Sequence, residues 1–393
     1  DLPGGAGGVT GPPDMDRDRS PIALCLSGGG FPGAFYEFGA VAALEAALPG
    51  WRASRSRVIV GTSCGAVAGA LLALGVDPAE ALRALSVKDH PLEPRVKELS
   101  RLPWGRHARG LGRAARALPR LLRGRTEDRR PGFAGVLYDL QAFLPGGVFS
   151  NAGIGRLIER AAQLQGRPDR FEGLLARLLI TASDLDSGER AVYGPGHDET
   201  APVSLAVRAS TTIPMYFEPV RIGGRHLIDG QIVDPAHLDL AVVEGTRAVL
   251  LVSPLVPYQA AGASGRREAP GEGGSRRDEQ PGPGVAQLGV AAVMDQMARI
   301  SASVKHRATR ERVLREHPEV AIHEFHPEPR EALDLMRAGF RPESLIATWK
   351  LGFAGTARRL RRDAQDLAAS LEPLGVKLSL EALEARAEDL EIG

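Results

Sequence analysis

Gly61-Thr62-Ser63-Cys64-Gly65 reads G-x-S-x-G. A serine on a sharp strand-to-helix turn has its Oγ pushed into the open, and only glycine tolerates the crowded backbone on either side. The N-terminus of the following helix favours developing negative charge. The competing reading is a serine in a Gly-rich helix cap. A second feature lies upstream, at Ser27-Gly28-Gly29-Gly30-Phe31-Pro32-Gly33. Consecutive glycines let backbone N–H groups converge into an anion site, for a phosphate or for the oxyanion of acyl transfer. The spacing is not that of a dinucleotide fingerprint, no acidic ribose ligand is evident, and no G-K-[ST] follows. Otherwise this loop is a plain tight turn. A third feature is Leu227-Ile228-Asp229-Gly230, an acid closing an apolar run. Taken alone, Asp-Gly is an ordinary turn.

Upstream of Asp229 stands Ala209-Ser210-Thr211-Thr212-Ile213-Pro214-Met215-Tyr216-Phe217-Glu218-Pro219-Val220. With this segment the chain resembles the patatin-like phospholipase family. Three blocks match in order: the loop Gly28 to Gly33, G-T-S-C-G at Ser63, and A-S-x-x-x-P-x-x-F-x-P-V followed by Asp229-Gly230. A weaker echo spans Gly147 to Ile158. The resemblance implies an α/β core, acyl-ester hydrolysis without a metal or cofactor, and a Ser63–Asp229 dyad. It also implies an oxyanion hole of backbone N–H groups from Gly28, Gly29 and Gly30, assisted by Cys64. Gly33, Gly61, Gly65 and Gly230 are the supporting motif glycines. Two positions depart from the family pattern. Pro32 stands where the loop usually carries Arg, and Gln231 stands where a second Gly often follows Asp-Gly.

In such a dyad Ser63 Oγ attacks the ester carbonyl, Asp229 takes its proton, the glycine amides hold the oxyanion, and water hydrolyses the acyl-enzyme. An ordinary Asp is a weak base near neutrality, so burial beside Leu227 and Ile228 is expected to raise its pKa. The alternative is a Ser-His-Asp triad drawing on His226 or His237. His323 and His326 resemble a metal pair, but residues i and i+3 of a strand face opposite ways, so no metal site is expected.

These residues need elements to hold them. Ile22 to Ser27 is an apolar run entering the glycine loop, and Ala34 to Leu48 has helical composition. Val58 to Gly61 is a second strand, and Gly65 to Gly75 an Ala/Leu-rich helix. That alternation predicts a parallel sheet covered on both faces. Leu178 to Ala182, Arg190 to Tyr193, Ala248 to Ser253 and Val320 to Phe325 read as further strands, and Val220 to Gly230 as a hairpin turning at Gly-Gly. Helical patterns run from about 285 to 316 and from 342 to the C-terminus. The expected class is α/β, a parallel-rich central sheet flanked by helices, with an inserted helical lid and C-terminal helices. The expected organisation is a disordered lead over 1–20, a catalytic domain over 21–255 with a basic helical insertion at about 88–135, a disordered loop over 256–284, and a mostly helical part over 285–393.

Of 393 residues, 43% are hydrophobic, enough for a sizeable core. Lys and Arg number 49 and Asp and Glu 48, so net charge names no partner. The local distribution does. Arg106, Arg109, Arg113 and Arg116 are spaced by three and four, and on a helix they share one face, with Trp104 just before them. That pattern fits a peripheral contact with an anionic membrane surface, or a solvated face. No stacking set or reader motif suggests nucleic acid. Cys25 and Cys64 read as buried free thiols in a reducing compartment. Localisation is therefore expected to be cytoplasmic, with peripheral membrane association; oligomeric state is left open. The rival functions are an intracellular polyhydroxyalkanoate depolymerase, an acyltransferase and a non-catalytic lipid-binding scaffold.

Overall fold

The computed structural model describes residues 19–94, 147–243, 245–260 and 283–391. Nearly all of the expected lead, and residues 261–282 of the expected loop at 256–284, lie outside them. So does most of the basic insertion, including Arg106, Arg109, Arg113 and Arg116.

The elements in chain order are β1 (Ile22–Leu26), α1 (Gly30–Ala47), β2 (Ile59–Thr62), α2 (Cys64–Leu74), α3 (Pro78–Ser86), β3 (Gly147–Phe149) and α4 (Ala152–Leu164). Then come β4 (Leu178–Asp184), β5 (Arg190–Tyr193), α5 (Val203–Ser210), β6 (Met215–Phe217), β7 (Val220–Ile222), β8 (Arg225–Asp229), α6 (Leu238–Ala241) and β9 (Ala248–Val252). The C-terminal part adds α7 (Val290–Glu316), β10 (Ala321–Phe325), α8 (Ala332–Arg337), α9 (Pro342–Arg362), α10 (Ala364–Leu371) and α11 (Leu380–Asp389).

Eight strands form one sheet in the order β10-β9-β1-β2-β4-β8-β7, with β5 on β4. From β10 to β4 every pairing is parallel; β5, β7 and β8 pair antiparallel. The central strands explain the apolar runs. β1 is buried at every residue, and its side chains alternate between two cores. Ile22, Leu24 and Leu26 join the larger core, which also takes in residues of α1, α2 and α9. Ala23 and Cys25 join a second, with Val249, Leu251, Leu238 and Val313. The β7–β8 hairpin turns at Gly223 and Gly224, both at positive φ, as a tight two-residue turn requires.

Two boundaries differ from expectation. α1 begins at Gly30, because Pro32 is tolerated in a first turn, where its missing N–H has no intrahelical acceptor. The C-terminal helical pattern is three helices, broken at Asp363 and at the turn ending in Gly375 (φ 80°).

α1 and α9 approach closely enough that a Cβ on Gly39 would meet the Trp349 carbonyl oxygen at 1.9 Å, and one on Gly352 the Tyr36 oxygen at 2.0 Å. Glycine at both positions lets the two backbones touch. Helix α9 is thereby tied to the helix that starts at the glycine loop. No single helix among the described residues is long and apolar enough to cross a membrane.

Candidate active site

Ser63 stands between β2 and α2 with φ 54° and ψ −119°, a conformation L side chains rarely adopt. Its neighbours explain the glycines. A Cβ on Gly61 would lie 2.6 Å from the Gly65 oxygen, and one on Gly65 would lie 2.2 Å from the Leu26 oxygen. Strand, turn and helix cross here at backbone contact, so only glycine fits. The elbow is braced from the side: Ser63 N–H donates to Ser210 Oγ (2.8 Å), and Thr62 and Thr181 share a hydroxyl hydrogen bond (2.9 Å).

Asp229 closes β8 beside β4, and β2 lies along the other edge of β4. The register aligns Thr62 with Thr181 and Ala182 with Asp229, so the two chain ends reach the same level of the sheet. Ser63 Oγ donates to Asp229 Oδ2 at 2.6 Å, and Asp229 Oδ1 accepts from Gln231 N–H at 3.0 Å. The Asp229 backbone is held by its own N–H to the Thr212 oxygen (2.9 Å) and by Ser183 Oγ to its carbonyl (2.9 Å). A Cβ on Gly230 would lie 2.5 Å from the Thr181 oxygen. Asp229 is fully buried. That burial raises its pKa to about 7, against the opposing pull of the Ser63 and Gln231 hydrogen bonds.

The glycine loop splits by amide. Gly28 N–H donates to the Pro235 carbonyl at 3.1 Å, which removes it from the expected oxyanion donors. The Gly29 and Gly30 amides stand at the start of α1 and the Cys64 amide at the start of α2, where a helix offers its first N–H groups no carbonyl. Gly33 is needed for room, because a Cβ there would lie 2.9 Å from Cys64 Sγ. The Cys64 thiol points inward and donates to the Ser27 carbonyl (3.4 Å) and to Glu37 Oε2 (3.7 Å). Burial holds both the thiol and the Glu37 carboxyl well above their ordinary pKa values, so Cys64 offers its backbone rather than a thiolate.

The histidines go elsewhere. His237 Nε2 faces the Gly230 carbonyl (3.3 Å), and burial lowers its pKa to about 4. His226 pairs with Asp186 (2.8 Å), His323 with Ser370 (2.7 Å) and His326 with the Pro327 carbonyl (3.1 Å). Neither triad candidate makes a hydrogen bond to Ser63 or Asp229.

Ser63 opens onto a cleft of about 530 Å³ with almost wholly apolar walls. Phe31 and Ala34 come from α1, and Val67 from α2. Phe149, Tyr216 and Phe217 come from the two-stranded β3–β6 ribbon, and Phe340 from beyond α8. Several contributors were not singled out in the sequence. Asn151, fully buried, donates to the Arg208 carbonyl (2.7 Å) and to the Thr211 and Thr212 hydroxyls (3.3 and 3.1 Å), fastening the segment that braces both Ser63 and Asp229. A cluster of small polar residues, Ser210-Thr211-Thr212, was the readable signal for that brace. Nothing local marks Phe340.

Fold and site define an α/β protein with a serine–carboxylate pair and an apolar cleft beside its parallel strands. The patatin-like phospholipase family model matches residues 24–242, more than half of the chain, and the chain belongs to that family. Membership suggests lipid acyl hydrolase activity. Among solved structures, the chain is similar to VipD from Legionella pneumophila at 13% identity and TM-score 0.36, covering 88% of this chain and 67% of that one. It is also similar to the type III effector protein ExoU (15%, TM-score 0.28, covering 95% and 62%). For the ExoU-SpcU complex of Pseudomonas aeruginosa the values are 18%, TM-score 0.26, 95% and 67%. The chain thus spans about two thirds of the length of these proteins.

Proposed function

We propose that the protein hydrolyses acyl esters of lipids through a Ser63–Asp229 dyad and a covalent acyl-enzyme. The observation that carries this reading is the 2.6 Å hydrogen bond from the Oγ of Ser63, which lines an apolar cleft, to the buried Asp229 carboxyl. Ser63 Oγ attacks the ester carbonyl carbon while its proton passes to Asp229 Oδ2. A carboxyl poised at about 7 is matched to that task at neutral pH, where an ordinary Asp is too weak a base. The oxyanion is held by the amides of Gly29, Gly30 and Cys64, supported by the helix N-termini they begin. Asp229 returns the proton to the departing alcohol, and then activates water to release the acid. The acyl chain lies among Phe31, Val67, Phe149, Ile154 and Phe217. An apolar cleft of this kind favours a fatty acyl group over a polar one.

A labelled alkyl fluorophosphonate tests the reading. Wild type is expected to be labelled at Ser63 and to hydrolyse fatty acyl esters. Ser63→Ala is expected to lose both, with hydrolysis reduced by ~10³-fold or more. Hydrolysis that survives in Ser63→Ala would sink the proposal.

A further inference from the structure

The family match ends at residue 242, yet the cleft has a wall from far beyond it. Phe340 sits in the short connection between α8 and α9. Its ring lies 5.3 Å, centroid to centroid, from that of Phe31, which in turn meets Phe35 edge-on at 5.6 Å. Phe31 directly follows Gly30, one of the amides assigned to the oxyanion. Phe35 is buried, Phe31 is half-buried and Phe340 is 51% exposed, so the three rings run from the core to the rim of the cleft. Tyr216, 49% exposed, is the other exposed lining residue, while Phe149, Ile213 and Phe217 are half-buried and Val67 and Ile154 are buried.

The base beneath Phe340 is firm. Helix α9 follows it at Pro342 and buries Leu345, Trp349 and Phe353, and its Gly352 lies against the α1 backbone. Helix α8 precedes it and buries Leu335. By contrast, a Cβ on Gly339 would meet nothing within 4 Å, and the Phe340 ring lies tilted at 36° to that of Phe31. A bulky, half-exposed side chain thus stands at the entrance on a fixed support, with open space beside the preceding Gly339.

We propose that Phe340 is a specificity-determining residue: its ring closes the rim of the cleft over Phe31 and limits the length and bulk of the acyl chain admitted to Ser63. The ligand class is a single unbranched acyl chain threading past one phenyl ring. The inference rests on the esterase reading for its substrate, and on the aromatic contact and exposure for the gate.

The test separates the two. In the first arm, kcat/KM is measured for butanoyl, octanoyl and hexadecanoyl esters with wild type, Phe340→Ala and Phe340→Trp. Phe340→Ala is expected to raise the hexadecanoyl-to-butanoyl ratio by about 10-fold, and Phe340→Trp to lower it, the scale at which a small change in an apolar site discriminates. In the second arm, binding of the free acids butanoate to hexadecanoate is measured calorimetrically in a Ser63→Ala background, where turnover plays no part. The preference is expected to shift in the same directions. Because Phe340 is half exposed, both variants should remain folded, which thermal melting checks. Unchanged profiles in both arms overturn the gate. A shifted binding profile in a protein that hydrolyses no ester upholds the gate and overturns the esterase reading instead.

Discussion

Asp229→Asn should inactivate the protein and stabilise it, and the stabilisation should depend on pH. In the folded chain the Asp229 carboxyl is fully buried and its pKa stands at about 7, against 3.8 for an unperturbed Asp. Below 3.8 both folded and unfolded forms keep the proton, and this group adds no pH dependence. Between 3.8 and about 7 the unfolded chain releases the proton and the folded chain keeps it, so stability falls as pH rises. Above about 7 both are ionised and the loss is complete. At ~1.4 kcal/mol per pH unit, the full loss is about 4 kcal/mol. Asparagine is nearly isosteric, keeps an oxygen for the Gln231 amide, and carries no charge to desolvate. The stability gained by Asp229→Asn should therefore be larger at about pH 8 than at about pH 5, by about 2–3 kcal/mol. Urea denaturation at the two pH values measures it, with the slope of each transition checked for constancy. Ester hydrolysis should fall by ~10³-fold or more in the same protein, since the amide cannot accept the serine proton. An equal gain at both pH values would mean that Asp229 carries no unusual ionisation cost in the folded chain.

The backbone strain at Ser63 predicts a second difference. Ser63→Gly and Ser63→Ala both remove the hydroxyl, but only glycine is at ease at φ 54°, so Ser63→Gly should be the more stable by about 1 kcal/mol in chemical denaturation; equal stabilities would show that the elbow is unstrained. The Arg spacing of the basic segment predicts a third. Replacing Arg109, Arg113 and Arg116 with Glu should weaken sedimentation with phosphatidylserine-containing vesicles by about 100-fold or more, on the basis of ~1 kcal/mol per basic residue near an anionic surface. Undiminished sedimentation would remove this segment from any membrane contact.

What could be read from the residues alone was whatever local sterics and periodicity dictate. The apolar runs at Ile22, Val58, Leu178 and Ala248 mark buried parallel strands because both faces of such a strand are covered, so no polar alternation interrupts them. The G-x-S-x-G elbow was legible because crowding of this backbone admits only glycine two positions to either side of the serine. Asp229 was different, because Asp-Gly is a common turn; only the family resemblance of the surrounding segment singled it out. Tertiary structure decided the rest, since each remaining feature depends on residues that sequence distance hides. β4 stands between β2 and β8 and sets the level at which Ser63 and Asp229 meet. The pKa of Asp229 follows from what covers it. Gly28 looked equivalent to Gly29 and Gly30, yet its amide is taken by Pro235, more than two hundred residues later. Phe340 meets Phe31 at the rim of the cleft just before α9, a helix that glycines let lie against α1. Local patterns report which conformations a segment tolerates; which partner fills each hydrogen bond and each wall is settled only when distant segments pack.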